Sequence, residues 1–281
     1  MIDFGRGVLR EAPFPYLVID NALPEALYQE LSASYPSHER LAPERMALSN
    51  HRLNLAATWG AAEYPLEAIA PSWRRFLEAH SSTAFAERVC AALEQTGGGA
   101  QRPGFFRVDE LGAGLARKLN LPDYVRLQDL EPRATVAVNT PVREMSRVRG
   151  PHVDAARKAY VGLLYFRPPE DTSDGGNLLI YRWRDGAKAD PWSSKIDDAD
   201  VEIVDEIAYA PNRLVLFLNR GLGVHGVSPR EITPHYRRLV VLSGWLPGVN
   251  FHDTDSTKGR LHGIFSTARA KLTRLRDRLF K

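Results

Sequence analysis

His152 and Asp154 sit two positions apart in the stretch PHVD, just ahead of the apolar run YVGLLYF. On an extended strand, residues two apart point to the same face. An imidazole and a carboxylate on one face can chelate one ion, but two ligands hold it weakly. A third must come from elsewhere in the chain. The eight histidines are His38, His51, His80, His152, His225, His235, His252 and His262. The first three lie in a region that reads as helical. His225 follows the strand-like NRLVLFLN and opens the stretch that leads into RRLVVLSGWL. A strand, a turn, a histidine and another strand can bring that imidazole opposite the first pair. The 73 residues from His152 to His225 leave room for antiparallel strands between them. His235 is the rival, but it lies beside Pro234 without a preceding strand, a surface setting.

Two imidazoles and a carboxylate on one face of an octahedral ion leave the opposite face open, the facial arrangement of non-haem Fe(II). The open positions can take a bidentate 2-oxoacid and then O2. The far carboxylate of such an acid needs a cation, and an arginine grips it with two parallel N–H groups. Arg237 and Arg238 follow His225 by 12 and 13 residues, at the start of the last strong strand.

These residues need a framework. From about Val125 the chain is a series of short segments rich in Val, Leu, Ile and Tyr: YVRLQDL, ATVAVNT, YVGLLYF, NLLIYRW, VEIVDEIAYA, NRLVLFLN and RRLVVLSGWL. Bounded by Pro, Gly, Asn or Asp, they are strand signals, and so many strands with few helices between them predict a sandwich or barrel. The first third reads as helical. LPEALYQELSASYP has Pro24 near a helix start and Pro36 as a stop, and APSWRRFLEAH groups Trp73, Phe76, Leu77 and His80. STAFAERVCAALEQTGGG places Phe85, Val89 and Leu93 four apart, with Cys90 on the same apolar stripe. The expected fold class is α+β, in one domain over 1–281. Residues 1–124 are a mainly helical support, 125–250 a jelly-roll core and 251–281 a basic tail.

The net charge of +3 is unevenly placed. Residues 256–281 hold eight of the 37 Lys and Arg and one of the 34 acids, so the tail is +7 and the remainder, with 29 bases and 33 acids, is −4. The basic balance therefore belongs to the tail, and the body lacks the basic face that nucleic acid requires. Ala268, Leu272, Leu275 and Leu279 make the tail a basic amphipathic helix, expected to dock on its own domain. Contact with a membrane surface is the less favoured role. No apolar run approaches the roughly 20 residues of a span, and the first residues lack a secretory layout. With a single cysteine, Cys90, these features favour the cytoplasm.

The segment from Ala134 to Leu246 resembles the Fe(II)/2-oxoglutarate-dependent dioxygenases, in their prolyl-4-hydroxylase-like branch. PHVD, GLLYF, DGGNLLIY, NRLVLFLNRGLGVHGVSP and RRLVVLSGWL occur in that family's order, and PFPYLVIDNALPEALYQEL resembles its lead-in. The resemblance implies a double-stranded β-helix with His152, Asp154 and His225 as iron ligands. It also implies that Arg238 or Arg237 takes the distal carboxylate of 2-oxoglutarate, that Tyr165 assists, and that Gly175 and Gly176 belong to the site. The apolar residues that follow it favour Arg238, whereas alternation with Trp245 favours Arg237.

The expected activity is hydroxylation of a C–H bond, with Fe(II), 2-oxoglutarate and O2. A small molecule or sugar intermediate is the first candidate substrate, and a protein side chain of prolyl type the second. A non-catalytic jelly-roll binding module and a cupin-type isomerase are the other classes. Arg143, Arg147 and Arg149 offer a cationic lip for an anionic substrate, or a solvated loop. Residues 182–202 read as a long insertion at the barrel mouth, with Trp183 and Trp192 able to contact substrate or anchor the loop.

Overall fold

The run Lys158–Tyr165 is apolar on both of its faces, and a strand so composed must be covered on both sides. In the computed structural model it is strand β7, at the centre of the larger of two main sheets. The structure describes residues 1–37, 48–54, 69–94, 105–107, 124–155, 158–187, 193–219 and 223–246.

In chain order the elements are β1 (Val8–Arg10), β2 (Tyr16–Ile19), α1 (Glu25–Ala33), β3 (Arg52–Asn54), α2 (Pro71–His80), α3 (Thr83–Glu94), β4 (Phe105–Arg107) and β5 (Tyr124–Arg126). Then come β6 (Glu131–Asn139), β7, β8 (Leu178–Trp183), β9 (Val201–Ile207), β10 (Leu214–Leu218), β11 (His225–Val227) and β12 (Arg237–Trp245). Seven strands form one sheet in the order β1-β2-β10-β7-β12-β6-β3, three form a second, β11-β8-β9, and β4 pairs with β5. Every pairing is antiparallel.

The alternation of side chains along the large sheet sorts the core. Val136, Tyr160, Leu164, Leu216 and Val240 face the helices, where they meet Tyr28, Leu31, Trp73, Phe76 and Phe85. Ala137, Val161, Leu163, Tyr165, Phe217 and Leu239 face the other way, against Leu178, Ile180 and Ile207 of the small sheet. The result is an antiparallel sandwich of the kind expected, backed on one side by helices.

The helices follow the residues that predict them. Pro71 opens α2 in the position where its missing N–H costs nothing. One face of α2, with Trp73, Phe76, Leu77 and His80, is buried, and the Trp73 indole donates to the Leu31 carbonyl of α1 at 3.0 Å. Cys90 lies in the core. Beside these helices, the first 124 residues also supply strands. β1, β2 and β3 are strands of the large sheet, two of them along one edge and β3 at the other. Each is three or four residues long, too short to show a period against its neighbours. The expected tail helix lies outside the described residues. No helix among the described residues is long and apolar enough to cross a membrane.

His80 is the polar exception in the helical core. Its ring stacks on Phe76, with centroids 4.0 Å apart, and meets Phe85 edge-on at 4.7 Å. Nδ1–H donates to the Phe76 carbonyl at 2.7 Å, and Nε2 is buried without a partner. Burial pushes its pKa down to about 4, with the chain amino terminus and Arg88 adding to the shift. The unfolded chain therefore binds a proton that the folded one refuses between about pH 6.5 and 4, so this contribution to stability falls as pH falls. Replacing His80 with Leu should remove that slope. Relative to wild type, His80→Leu should gain about 2 kcal/mol on going from pH 7.5 to pH 5. Urea titrations at the two pH values measure it, and an unchanged difference would mean that the ring protonates in place.

Candidate metal centre

The two histidines are joined through their backbones. The His152 amide donates to the His225 carbonyl at 2.9 Å, and the His225 amide donates to the His152 carbonyl at 3.0 Å. This isolated antiparallel bridge fixes two residues 73 apart in sequence. β11 places His225 opposite Ile180 on β8, so the small sheet holds one side of the bridge. Two glycines permit the approach, since a Cβ on Gly226 would lie 3.0 Å from the Gly150 carbonyl oxygen.

Ligand atoms of His152, Asp154 and His225 lie within 4.8 Å of one another, and all three residues are buried. The imidazole centroids are 4.3 Å apart, and Phe217 packs on the His225 ring at 5.0 Å. Each Nδ1 is 2.9 Å from the carbonyl two residues back, Gly150 for His152 and Gly223 for His225. A carbonyl only accepts, so each Nδ1 carries the proton and each Nε2 keeps its lone pair. Burial holds His152 well below the usual histidine range, helped by His225 and Arg149, so it is neutral. Burial opposes the charge on Asp154, but Lys158 leads the contributions that outweigh it and hold the carboxyl well below its usual range. Lys158 Nζ donates to Oδ1 at 3.0 Å, while Oδ2 lies 3.5 Å from His225 Nε2. Arg149 stands 3.8 Å from Oδ1. Two imidazole nitrogens and one anionic oxygen, converging and already oriented, fit a divalent transition metal.

Arg237 stands beside this centre. It follows the alternation of Leu239, which faces the interior of the sandwich. Its guanidinium lies 5.0 Å from the ring centroids of both Tyr165 and Tyr209, which meet each other edge-on. Nε donates to the Gly176 carbonyl at 2.7 Å. Neither Nη2 of Arg237 nor the Tyr165 hydroxyl, both buried, has a hydrogen-bond partner of good geometry. Burial keeps that hydroxyl protonated, against the pull of Arg237. Gly175 and Gly176 have φ of +83° and +70°; Gly176 lies against this arginine, and a Cβ on Gly175 would fall 1.8 Å from the Pro229 carbonyl oxygen. A buried pair, Arg230 Nη2 to Asp171 Oδ2 at 2.6 Å, supports the same wall.

Arg238, the residue that the sequence favours, lies on the opposite face of β12 from Arg237. Arg238 shares the alternation of Val240 on the helix face, and its guanidinium lies over Tyr35 at 5.3 Å. A strand turns adjacent side chains to opposite faces, so only one of the two can enter the pocket. His235 does not join the centre, and its carbonyl accepts from Arg230. In the cationic lip, Arg143 is exposed, Arg147 is paired with Asp198 and only Arg149 reaches the ligands. Trp183 packs on a satellite cluster with Leu179 and Val224, and Trp192 lies outside the described residues. A surface cleft lined by Tyr28, Gln29, Pro168 and Pro211 contains none of the three ligands. Sequence reasoning missed Lys158, Tyr209 and Asn219, whose Nδ2 donates to the Ala155 carbonyl at 2.8 Å behind the ligand Asp154. A lysine four residues after the aspartate was a visible signal for the first.

No protein-family model matches the chain, and no curated protein does. Among solved structures, it is similar to a Pseudomonas putida prolyl-4-hydroxylase at 15% identity, over 82% of this chain and 91% of that one, with a TM-score of 0.38. A prolyl 4-hydroxylase from Phytophthora capsici matches at 16% identity, over 89% of this chain and 66% of that one, with a TM-score of 0.43. The epimerase SnoN, in complex with Fe3+, alpha ketoglutarate and nogalamycin RO, matches at 11% identity, over 82% and 78%, with a TM-score of 0.38. With scores this low, the chemistry assigned to the chain rests on its own side chains.

A ligand that binds only the folded state stabilises it. Mn(II) added under argon to metal-free protein at 100 times its Kd should raise the unfolding free energy by about 2.7 kcal/mol. His225→Ala and Asp154→Ala should show no such gain. An equal gain in both variants would remove these residues from the ligand set.

Proposed function

We propose that this protein is an Fe(II)- and 2-oxoglutarate-dependent dioxygenase that hydroxylates a C–H bond of a small molecule. The observation that carries this reading is the pairing of two features in one interior. A buried two-histidine, one-carboxylate cluster and an arginine whose buried Nη2 lacks a partner of good geometry face the same interior. An orphaned buried donor costs about 1–3 kcal/mol, so such a group persists where a ligand satisfies it.

His152 Nε2, His225 Nε2 and Asp154 Oδ2 would hold the iron. Arg237 and the Tyr165 hydroxyl would take the distal carboxylate of 2-oxoglutarate. Bound there with O2, iron and 2-oxoglutarate would supply an oxidant strong enough for a C–H bond, at the expense of 2-oxoglutarate becoming succinate and CO2.

The chain's own share is placement and exclusion of water. The Gly150 and Gly223 carbonyls fix both imidazole tautomers. Lys158 occupies one carboxylate oxygen and leaves the other to face the histidines. Tyr165 and Tyr209 flank the Arg237 guanidinium, and Gly176 fixes its Nε, so the remaining N–H groups are held in one direction before a ligand enters. Phe217 and the apolar interior keep water from the metal-facing side.

Binding of 2-oxoglutarate to Mn(II)-loaded protein, followed by calorimetry, tests the assignment. Arg237→Ala should weaken it by about 2–5 kcal/mol, the loss expected when a buried charged hydrogen-bonded pair is broken. Arg238→Ala should change it less than threefold. Loss of binding in Arg238→Ala alone would overturn the assignment. Absence of metal-dependent binding in wild type would overturn the function.

A further inference from the structure

A row of three polar side chains crosses the end of the large sheet. Arg52 on β3 is the register partner of Asn139 on β6, and Asn139 is the partner of Arg237 on β12. Directly paired residues point to the same face. Asn139 alternates with Ala137 and Arg237 with Leu239, both on the interior face, so all three side chains point into the sandwich. Arg52 thus reaches the metal-bearing interior from a three-residue strand outside the segment that carries the chemistry.

The polar atoms of this row are left open. Nε and Nη2 of Arg52, Nδ2 and Oδ1 of Asn139 and Nη2 of Arg237 are all buried, and none has a hydrogen-bond partner of good geometry among the described residues. The two open nitrogens of Arg52 are not an arbitrary pair. Nε–H and Nη2–H form one edge of the guanidinium with their N–H bonds parallel, and that edge matches the two oxygens of a carboxylate. Arg237 has committed its Nε to Gly176 and can offer only its far end. The two arginines therefore present different edges, on either side of Asn139.

The charge balance points the same way. Arg149 and Lys158 stand against the single carboxylate of Asp154, and Arg52 feels both that carboxylate and the charge of Arg237. Burial, and then the charge of Arg237, bring the pKa of Arg52 down to about 10, which leaves it charged at neutral pH. A divalent metal adds two more positive charges, and 2-oxoglutarate brings only two negative ones. Buried charge calls for counter-charge, and the excess left over is positive.

We propose that the Nε–Nη2 edge of Arg52, with the Asn139 amide beside it, binds a carboxylate of the primary substrate, and that this substrate is a small carboxylic acid. The inference rests on the dioxygenase reading, in which Arg237 serves the cosubstrate. Arg52 is then a specificity residue. It decides which acid lies in front of the metal, and it does not hold 2-oxoglutarate.

The experiment uses full-length Mn(II)-loaded protein saturated with 2-oxoglutarate. The probes are monocarboxylates of four to eight carbons, with and without 2-amino or 2-hydroxy groups, each compared with its amide. Carboxylates should bind and their amides should not. Arg52→Gln should weaken the best carboxylate at least tenfold while shifting the 2-oxoglutarate Kd less than twofold. Because Arg52 is an unsatisfied buried cation, Arg52→Gln should also unfold at the same temperature as wild type or higher, where a merely structural residue would lower it. Three results would overturn the proposal: acids and amides binding alike or not at all, 2-oxoglutarate weakened as much as the probes, or a lowered unfolding temperature. Failure of the dioxygenase reading looks different. There 2-oxoglutarate would not bind the metal-loaded protein at all, while the dependence of the carboxylates on Arg52 could still be measured without it.

Discussion

The site depends on two backbone hydrogen bonds, exchanged between His152 and His225. They join the start of the chain leading into β7 to the first residue of β11, and so tie the two sheets at the point where three ligands must meet. Side chains alone would not achieve this. An imidazole on a free loop loses rotamer freedom each time it binds, whereas here the backbone positions are set by folding. Both Nδ1 protons go to carbonyls two residues back, so the same local turns that carry the bridge also set the tautomers.

Around that bridge, strand alternation decides what enters the interior. Arg237 and Arg238 are neighbours of the same type, yet one lies against Tyr165 and Tyr209 and the other against Tyr35 on the far side of the sheet. The interior arginine is held by aromatic faces, a glycine carbonyl and a wall braced by the buried Arg230–Asp171 pair. Breaking such a pair from one side leaves an uncompensated charge, which costs about 3–5 kcal/mol. The positive-φ glycines at 175 and 176 serve the same wall, because a side chain at the first would strike the backbone of Pro229.

Much of this was legible in the sequence. The strands from β6 onward announce themselves by composition, and the triad by residue type and spacing. Tyr165 could be placed because it sits in the strand next to the His-x-Asp pair. The choice between Arg237 and Arg238 was available in principle from alternation, but apolar flanking residues argued the other way and do not depend on which face is inside. Arg52 was not legible. HRLNL shows a short alternation, but its pairing partner is 87 residues away, and its meaning depends on β3 joining the sheet beside β6. Asn139 was hidden for the same reason. A polar residue at a strand end reads as a turn until the register shows that it faces inward. Pairings between distant segments are set by the whole topology, and no local window contains them.

Lys158 gives the Asp154 carboxylate a counter-charge before any ion arrives. An arriving ion must therefore share that anion with an ammonium group, so occupancy of the centre is a competition between the two cations.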